Sequence, residues 1–208
     1  MIEHILRGRR SVRRFLSEPV PEELVLRLIA GATQAPSASN KQPWKFLLVE
    51  RRATIEQLAS AVREATARIA AHIPAESQPA FAAYGDYFTR FEGAPLVIIP
   101  ICKSLSVLSN LVGSSLPAAE LETIRQMEDN SGLIGAALAL QNLLLLAHEL
   151  GLGASGMTGP LVARDELKRL LDVPESWNIL ALVPVGFPAE EPPPTQRKPA
   201  SSVIRWIT

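Results

Sequence analysis

Gly8-Arg9-Arg10-Ser11-Val12-Arg13-Arg14-Phe15 is the stretch from which the rest of the chain can be read. Five arginines lie between Arg7 and Arg14 with the Ser11 hydroxyl among them, a concentration of hydrogen-bond donors suited to a phosphate group. By itself a charge run is a solvated face at the end of a short helix, so the cluster acquires meaning only through what accompanies it.

Composition narrows the setting. The chain has 208 residues, enough for one domain over 1–208, and its hydrophobic share of 47% is that of a folding globular chain. Lys plus Arg is 21 and Asp plus Glu is 21, so there is no global basic excess to hold a nucleic-acid backbone, and the arginine cluster is local. The single cysteine, Cys102, excludes an intrachain disulfide and a CxxC zinc site, and its apolar flank reads as a core thiol. The start of the sequence, with Glu3 and His4, does not read as a secretory leader. Leu133 to Ala147 is the longest apolar stretch, interrupted by Gln141 and Asn142 and short of the roughly 20 residues that span a bilayer. The expectation is a cytoplasmic protein with no membrane and no nucleic-acid partner.

Beyond the cluster, Glu22 onwards reads as a helix with Leu24, Val25, Leu28, Ile29 and Ala32 on one face, ending near Ala35-Pro36. A polar loop, Ser37 to Trp44, leads into a strand at Lys45 to Glu50. Thr54 and Gln57 have the spacing of a capping box ahead of a helix running to about Ile73. Residues 80–92 concentrate aromatic side chains on a short helix, and Leu96 to Ile101 is a strand buried on both faces. Residues 103–131 lack apolar periodicity and are expected to form a lid. From Gly132 to Leu150 a helix apolar nearly all round should run through the centre, capped by Gly151. A helix near Ala163 to Leu171 precedes one buried strand over Ile179 to Gly186. Residues 188–208 form an extended, proline-rich arm ending in a β-prone segment, Val203 to Ile207.

Gly151-Leu152-Gly153-Ala154-Ser155-Gly156 fits G-x-G-x-x-G, but a dinucleotide fingerprint follows a strand and opens a helix, whereas this one follows a helix. It reads better as a turn whose missing side chains let backbone amides approach a flat ligand. There is no Walker loop, no H-E-x-x-H and no carboxylate pair, so neither metal catalysis nor a side-chain nucleophile is expected.

Taken together, Arg9-Arg10-Ser11-Val12-Arg13, Pro36-Ser37-Ala38-Ser39-Asn40-Lys41-Gln42-Pro43-Trp44, Gln141-Asn142-Leu143-Leu144 ahead of Gly151-Leu152-Gly153, and Arg197-Lys198-Pro199 resemble the FMN-dependent nitroreductase family along essentially the whole chain. The resemblance implies an α+β fold, a sheet wrapped by helices, in an intertwined homodimer with an extended C-terminal arm and FMN at the subunit interface. It implies that Arg9, Ser11 and Arg13, with Arg10 beside them, hold the phosphate and ribityl chain, and that Arg197 and Lys198 complete the phosphate site. Pro36, Ser37, Asn40 and Gln42 would come from the partner subunit, and Ser155, Gly156 and Met157 would pack against the isoalloxazine ring. The chemistry is then the cofactor's: NADH or NADPH would reduce FMN, and a nitroaromatic or quinone would reoxidise it in a ping-pong cycle. A dehalogenase or flavin-cleaving enzyme of the same fold, and a flavin carrier without turnover, are the alternatives.

Overall fold

The computed structural model describes residues 2–113 and 115–207; residues 1, 114 and 208, which belong to the expected domain, lid and arm, lie outside the described residues. A short helix α1 (Ile2–Gly8) is followed by α2 (Glu22–Ala32), β1 (Trp44–Val49), α3 (Arg52–Ala70) and α4 (Gln78–Gly85). A 3-10 turn over Asp86–Gly93 leads into β2 (Leu96–Lys103), then α5 (Leu108–Val112) and the long α6 (Ala118–Glu149). The chain closes through β3 (Gly153–Ala154), α7 (Arg164–Leu170), β4 (Trp177–Ile179) and β5 (Val183–Gly186).

β2 is the spine of the sheet. β1 pairs along it from Trp44↔Cys102 to Val49↔Val97, while β4 and β5 share its other edge and β3 adds to β5, every pairing antiparallel. Seven of its eight residues are buried, which is why its sequence is an unbroken apolar run rather than an alternation. The alternation survives as a division of labour. Val97, Ile99 and Ile101 pack with Ile55, Leu58 and Val62 of α3, whereas Leu96 and Ile98 pack with Leu28 of α2 and Leu143 of α6. Helices therefore cover both faces, and the α+β architecture expected from the sequence is the one observed.

Four details depart from the sequence reading. The run from Ile179 to Gly186 is two strands rather than one: Ile101 faces Ile179, yet Ile98 faces Val183, so Leu180 to Leu182 oppose only Ile99 and Pro100. That extra residue is a β-bulge, and beside it the buried Leu182 exchanges both backbone hydrogen bonds with Met157, each 2.9 Å. The central helix begins at Ala118, not near Gly132; residues 118–131 carry no apolar stripe because most of them are exposed. Thr54 lies inside α3, which begins at Arg52 without a side-chain cap, so no capping box forms. Residues 203–207 pair with no strand and stay exposed, since a β-prone segment forms a strand only against a partner edge.

By length and composition α6 could pass for a membrane-spanning helix, and in the single chain only one of its faces packs against the core. Gly132, Gly135, Ala136, Ala139, Leu143 and Ala147 are buried at helical spacing. The opposite face is open rather than enclosed: Met127, Leu133, Ile134 and Leu138 are exposed. The helix ends where the sequence places its cap. Gly151 has φ +74°, its N–H donates to His148 O at 3.1 Å and the Leu152 N–H donates to Ala147 O at 2.8 Å, the paired bonds of a Schellman motif.

Candidate functional site

That cap sends the chain directly into β3, and the arginine segment lies beside it. The Val12 N–H donates to Ala154 O at 3.2 Å, and Ser11 bridges Ala154 in parallel. The Val12 side chain is buried against Gly153, where a Cβ would stand 2.6 Å from Val12 Cγ1 and 2.7 Å from its Cβ. Gly153 is therefore a close-approach glycine, and it joins the glycine turn to the arginine segment. Farther along, the Leu16 N–H donates to Phe187 O and the Ala189 N–H to Arg14 O, both 2.9 Å. Glu190 closes the clip, with Oε1 accepting the N–H groups of Arg13 (2.8 Å) and Arg14 (3.2 Å).

The arginines do different work. Arg10 folds back so that Nη1 donates to the carbonyls of Arg7 (2.6 Å), Arg9 (3.0 Å) and Gly8 (3.1 Å), satisfying acceptors at the end of α1, and it contributes to the cluster mainly through its charge. Arg13 donates from Nη1 to Ser11 O at 3.3 Å. Arg9 is half-buried; burial first, then the charges of Arg197 and Arg10, pull its guanidinium below the ordinary value. Arg197 thus reaches the same neighbourhood from the arm. Among the described residues no carboxylate makes a salt bridge with Arg9, Arg10, Arg13 or Arg197, whereas Arg14 has Glu190 at 3.9 Å. Crowded guanidinium groups without an acid are stabilised by an anion from outside the chain. Lys198 is exposed, and among the described residues no salt bridge holds it.

Beyond Ala154 the turn presents two unused polar groups. Ser155 is 1% exposed and its hydroxyl has no partner among the described residues, a buried orphan that a ligand group would satisfy. Among the described residues no hydrogen bond within the chain uses the Gly156 N–H, and Gly156 is exposed. Met157 differs from both, since its side chain is in the core and its backbone is bound to Leu182 at either end.

The loop after Pro36 holds three non-glycine residues in left-handed backbone, Ser39 (φ 50°), Asn40 (φ 51°) and Gln42 (φ 48°). Such strain, of order 1–3 kcal/mol per residue, persists where surrounding contacts impose it and gathers at ligand sites. Here the Ser37 hydroxyl accepts the Gln42 N–H at 2.9 Å, the Asn40 N–H donates to Ser37 O at 3.0 Å, and Ser37 seats against Gly135 of α6. Asn40 and Gln42 are exposed. Among the described residues of one chain this loop shares no hydrogen bond or bridge with the arginine segment, so the predicted residues fall into two groups: Arg9 to Arg13 with Arg197, Ser155 and Gly156, and separately Pro36 to Gln42.

Sequence reasoning passed over Glu190 and Glu128. Glu128 is 3% exposed on α6 and its Oε1 accepts the N–H groups of Val107 and Leu108, both 2.6 Å, and of Ser109 at 3.4 Å. It holds the 104–109 loop and α5 onto α6 beside a cavity of about 500 Å³. A carboxylate buried within a charged stretch leaves no signature in sequence, because Glu120, Glu122 and Asp129 around it are exposed.

A sequence model described as the Nitroreductase family matches residues 6–187, which spans the arginine segment, the 36–42 loop, α6 and the glycine turn. The chain belongs to the nitroreductase family. It is 32% identical over 213 residues to an NADH dehydrogenase of Thermus thermophilus, covering 95% of this chain and 92% of that one. A BluB-like flavoprotein from Clostridium difficile shares the fold with TM-score 0.84 at 22% identity, covering 100% of this chain and 99% of the other. An iodotyrosine deiodinase bound to FMN and 3-iodo-L-tyrosine shares it with TM-score 0.75 at 23% identity over all of both chains. One family fold thus carries proteins named for different reactions. The relatives support an oxidoreductase enzyme and leave the reaction to the residues of the chain itself.

Proposed function

We propose that the chain is an FMN-dependent oxidoreductase that passes two electrons from NADH or NADPH to an electron-poor acceptor such as a nitroaromatic or a quinone. The observation that carries this reading is the uncompensated cluster of Arg9, Arg10, Arg13 and Arg197, set against the turn with the orphan Ser155 hydroxyl. A phosphate at one end and a ring with hydrogen-bonding edges at the other describe a flavin mononucleotide. Bound there, FMN supplies the two-electron exchange with donor and acceptor.

The chain's own residues bind and orient. Arg9, Arg13 and Arg197, with Ser11, hold the phosphate and ribityl end in this reading, and Arg10 adds charge. Ser155 and the Gly156 N–H address the ring edge, where a donor stabilises negative charge that develops during reduction. Met157 supports the turn from the core side. No side chain is asked to serve as nucleophile in this reading.

The chain works as one domain in a homodimer in this proposal, with Pro36, Ser37, Asn40 and Gln42 of one protomer completing the flavin site of the other. Support comes from the open face of α6 and from Val203, Ile204, Trp206 and Ile207, all more than half exposed in the single chain, a larger apolar surface than a monomer leaves in water. Arm residues 188–208 would reach across the partner, and the 103–131 stretch would border the acceptor's entrance. The test is the visible spectrum of purified protein and a titration with FMN: a bound flavin band is expected, and a protein that neither carries nor takes up FMN overturns the proposal. Reductive dehalogenation is the second reading, favoured by the FMN-bound deiodinase fold neighbour and separated by assaying halide release from a halogenated phenol.

A further inference from the structure

Tyr87 stands in the 3-10 turn between α4 and β2, outside every motif that identified the arginine segment. Its ring receives two guanidinium groups: Arg90 with Cζ 4.3 Å from the centroid, and Arg13 with Cζ at 5.6 Å. Both fall within the roughly 6 Å over which a ring face attracts a cation. The two cations differ in what else they meet. Arg90 is held by Asp86, whose Oδ2 accepts from Nη2 at 2.6 Å and from Nε at 3.2 Å. Arg13 has no carboxylate on its side chain; Glu190 takes only its backbone N–H.

We infer that Tyr87 is a positioning residue for the anion site, its ring face fixing the Arg13 guanidinium while leaving the N–H donors that do not face the Ser11 carbonyl to a phosphate. The inference rests on the flavin-phosphate reading and deepens it. A planar guanidinium offers its face to an aromatic ring and its donors in the plane, so a stacked arginine can still grip an anion with two parallel bonds. Glu190 fixes the segment at the Arg13 and Arg14 amides, and Tyr87 fixes the side chain that leaves it. The Asp86–Arg90 pair occupies the second cation on the ring and neutralises it, so the open charge belongs to Arg13. Tyr87 remains 45% exposed, and its hydroxyl makes no hydrogen bond among the described residues, so the ring rather than the O–H is the working part.

The experiment compares FMN with riboflavin, which lacks the phosphate, by fluorescence titration of the flavin-free full chain. Wild type should bind FMN more tightly than riboflavin; equal affinities overturn the phosphate reading itself, a failure distinct from that of Tyr87. Tyr87→Leu should weaken FMN about two- to five-fold, the scale of one partly exposed cation–ring contact, and leave riboflavin unchanged. Tyr87→Phe keeps the ring and should match wild type. In an Arg13→Met background, Tyr87→Leu should add nothing further. An equal loss for both flavins, no loss for either, or a full additional loss beside Arg13→Met would each show that Tyr87 does not act through Arg13.

Discussion

Gly153→Ala is the substitution that tests how the glycine turn and the arginine segment depend on each other. The new methyl would sit 2.6 Å from Val12 Cγ1, 2.7 Å from Cβ and 3.1 Å from Cγ2, whereas carbon atoms rest about 3.5–4.0 Å apart, so Val12 must retreat by about 1 Å. Two features oppose that retreat. Val12 is β-branched and stiff about its first torsion, and its N–H is bonded to Ala154 O in the next residue along β3. The movement therefore passes into the backbone from Arg9 to Arg13. Overpacking of this kind costs about 1–3 kcal/mol. In a chain of this size each kcal/mol moves the Tm by roughly 2–4 °C, so calorimetry of the flavin-free variant should record a fall of about 2–12 °C. FMN affinity should fall as well, because the displaced segment carries the phosphate ligands. Gly93→Ala, where an added Cβ meets nothing within 4 Å, is the matched control and should leave both quantities alone. A Gly153→Ala protein with wild-type Tm and wild-type FMN affinity would refute the coupling.

Further outcomes follow from the same geometry. Arg9→Ala removes a charge-assisted contact worth roughly 1.5–3 kcal/mol and should weaken FMN about 10- to 100-fold in equilibrium titration. The Tm of its flavin-free form should not fall, since the half-buried cation is opposed by burial, Arg197 and Arg10. Arg10→Ala should weaken FMN less than Arg9→Ala, because its Nη1 is already held by three carbonyls of α1 and its end. Hydrogen bonding from Ser109 first, then from the Leu108 and Val107 amides, holds the Glu128 carboxyl below its ordinary range, with burial opposing. A carboxyl so depressed stabilises the fold above its unfolded pKa and loses that contribution as pH falls through the lower, folded value. The Tm deficit of Glu128→Gln should accordingly be largest near neutrality and shrink in acid, as thermal unfolding across pH would record. Residues 200–207 are themselves exposed in the single chain, and deleting residues 200–208 should convert a dimer to a monomer by sedimentation equilibrium.

What could be read from residues alone depended on whether local chemistry or a distant partner decides the outcome. β2 was legible because a strand buried on both faces has to be apolar throughout, and the end of α6 because a positive φ calls for glycine at 151. The bulge between β4 and β5 was not, since the register that creates it belongs to the pairing with β2. The first turns of α6 were hidden for the opposite reason: exposed positions need no apolar stripe. In the candidate site the arginines announced themselves by number, but their division into a helix-capping Arg10, an Arg13 set over the Tyr87 ring and a half-buried Arg9 emerges only in three dimensions. Ser37, Asn40 and Gln42 were legible as a polar loop, while the left-handed strain at 39, 40 and 42 had no signal, because none of those residues is glycine.

The most direct measurement is anaerobic mixing of the FMN-loaded protein with NADH or NADPH, followed by addition of a nitroaromatic or a quinone. The account predicts that the visible flavin band bleaches with the nicotinamide, returns with the acceptor, and gives parallel lines in a two-substrate rate analysis. A flavin that is bound yet stays oxidised with both nicotinamides would contradict it.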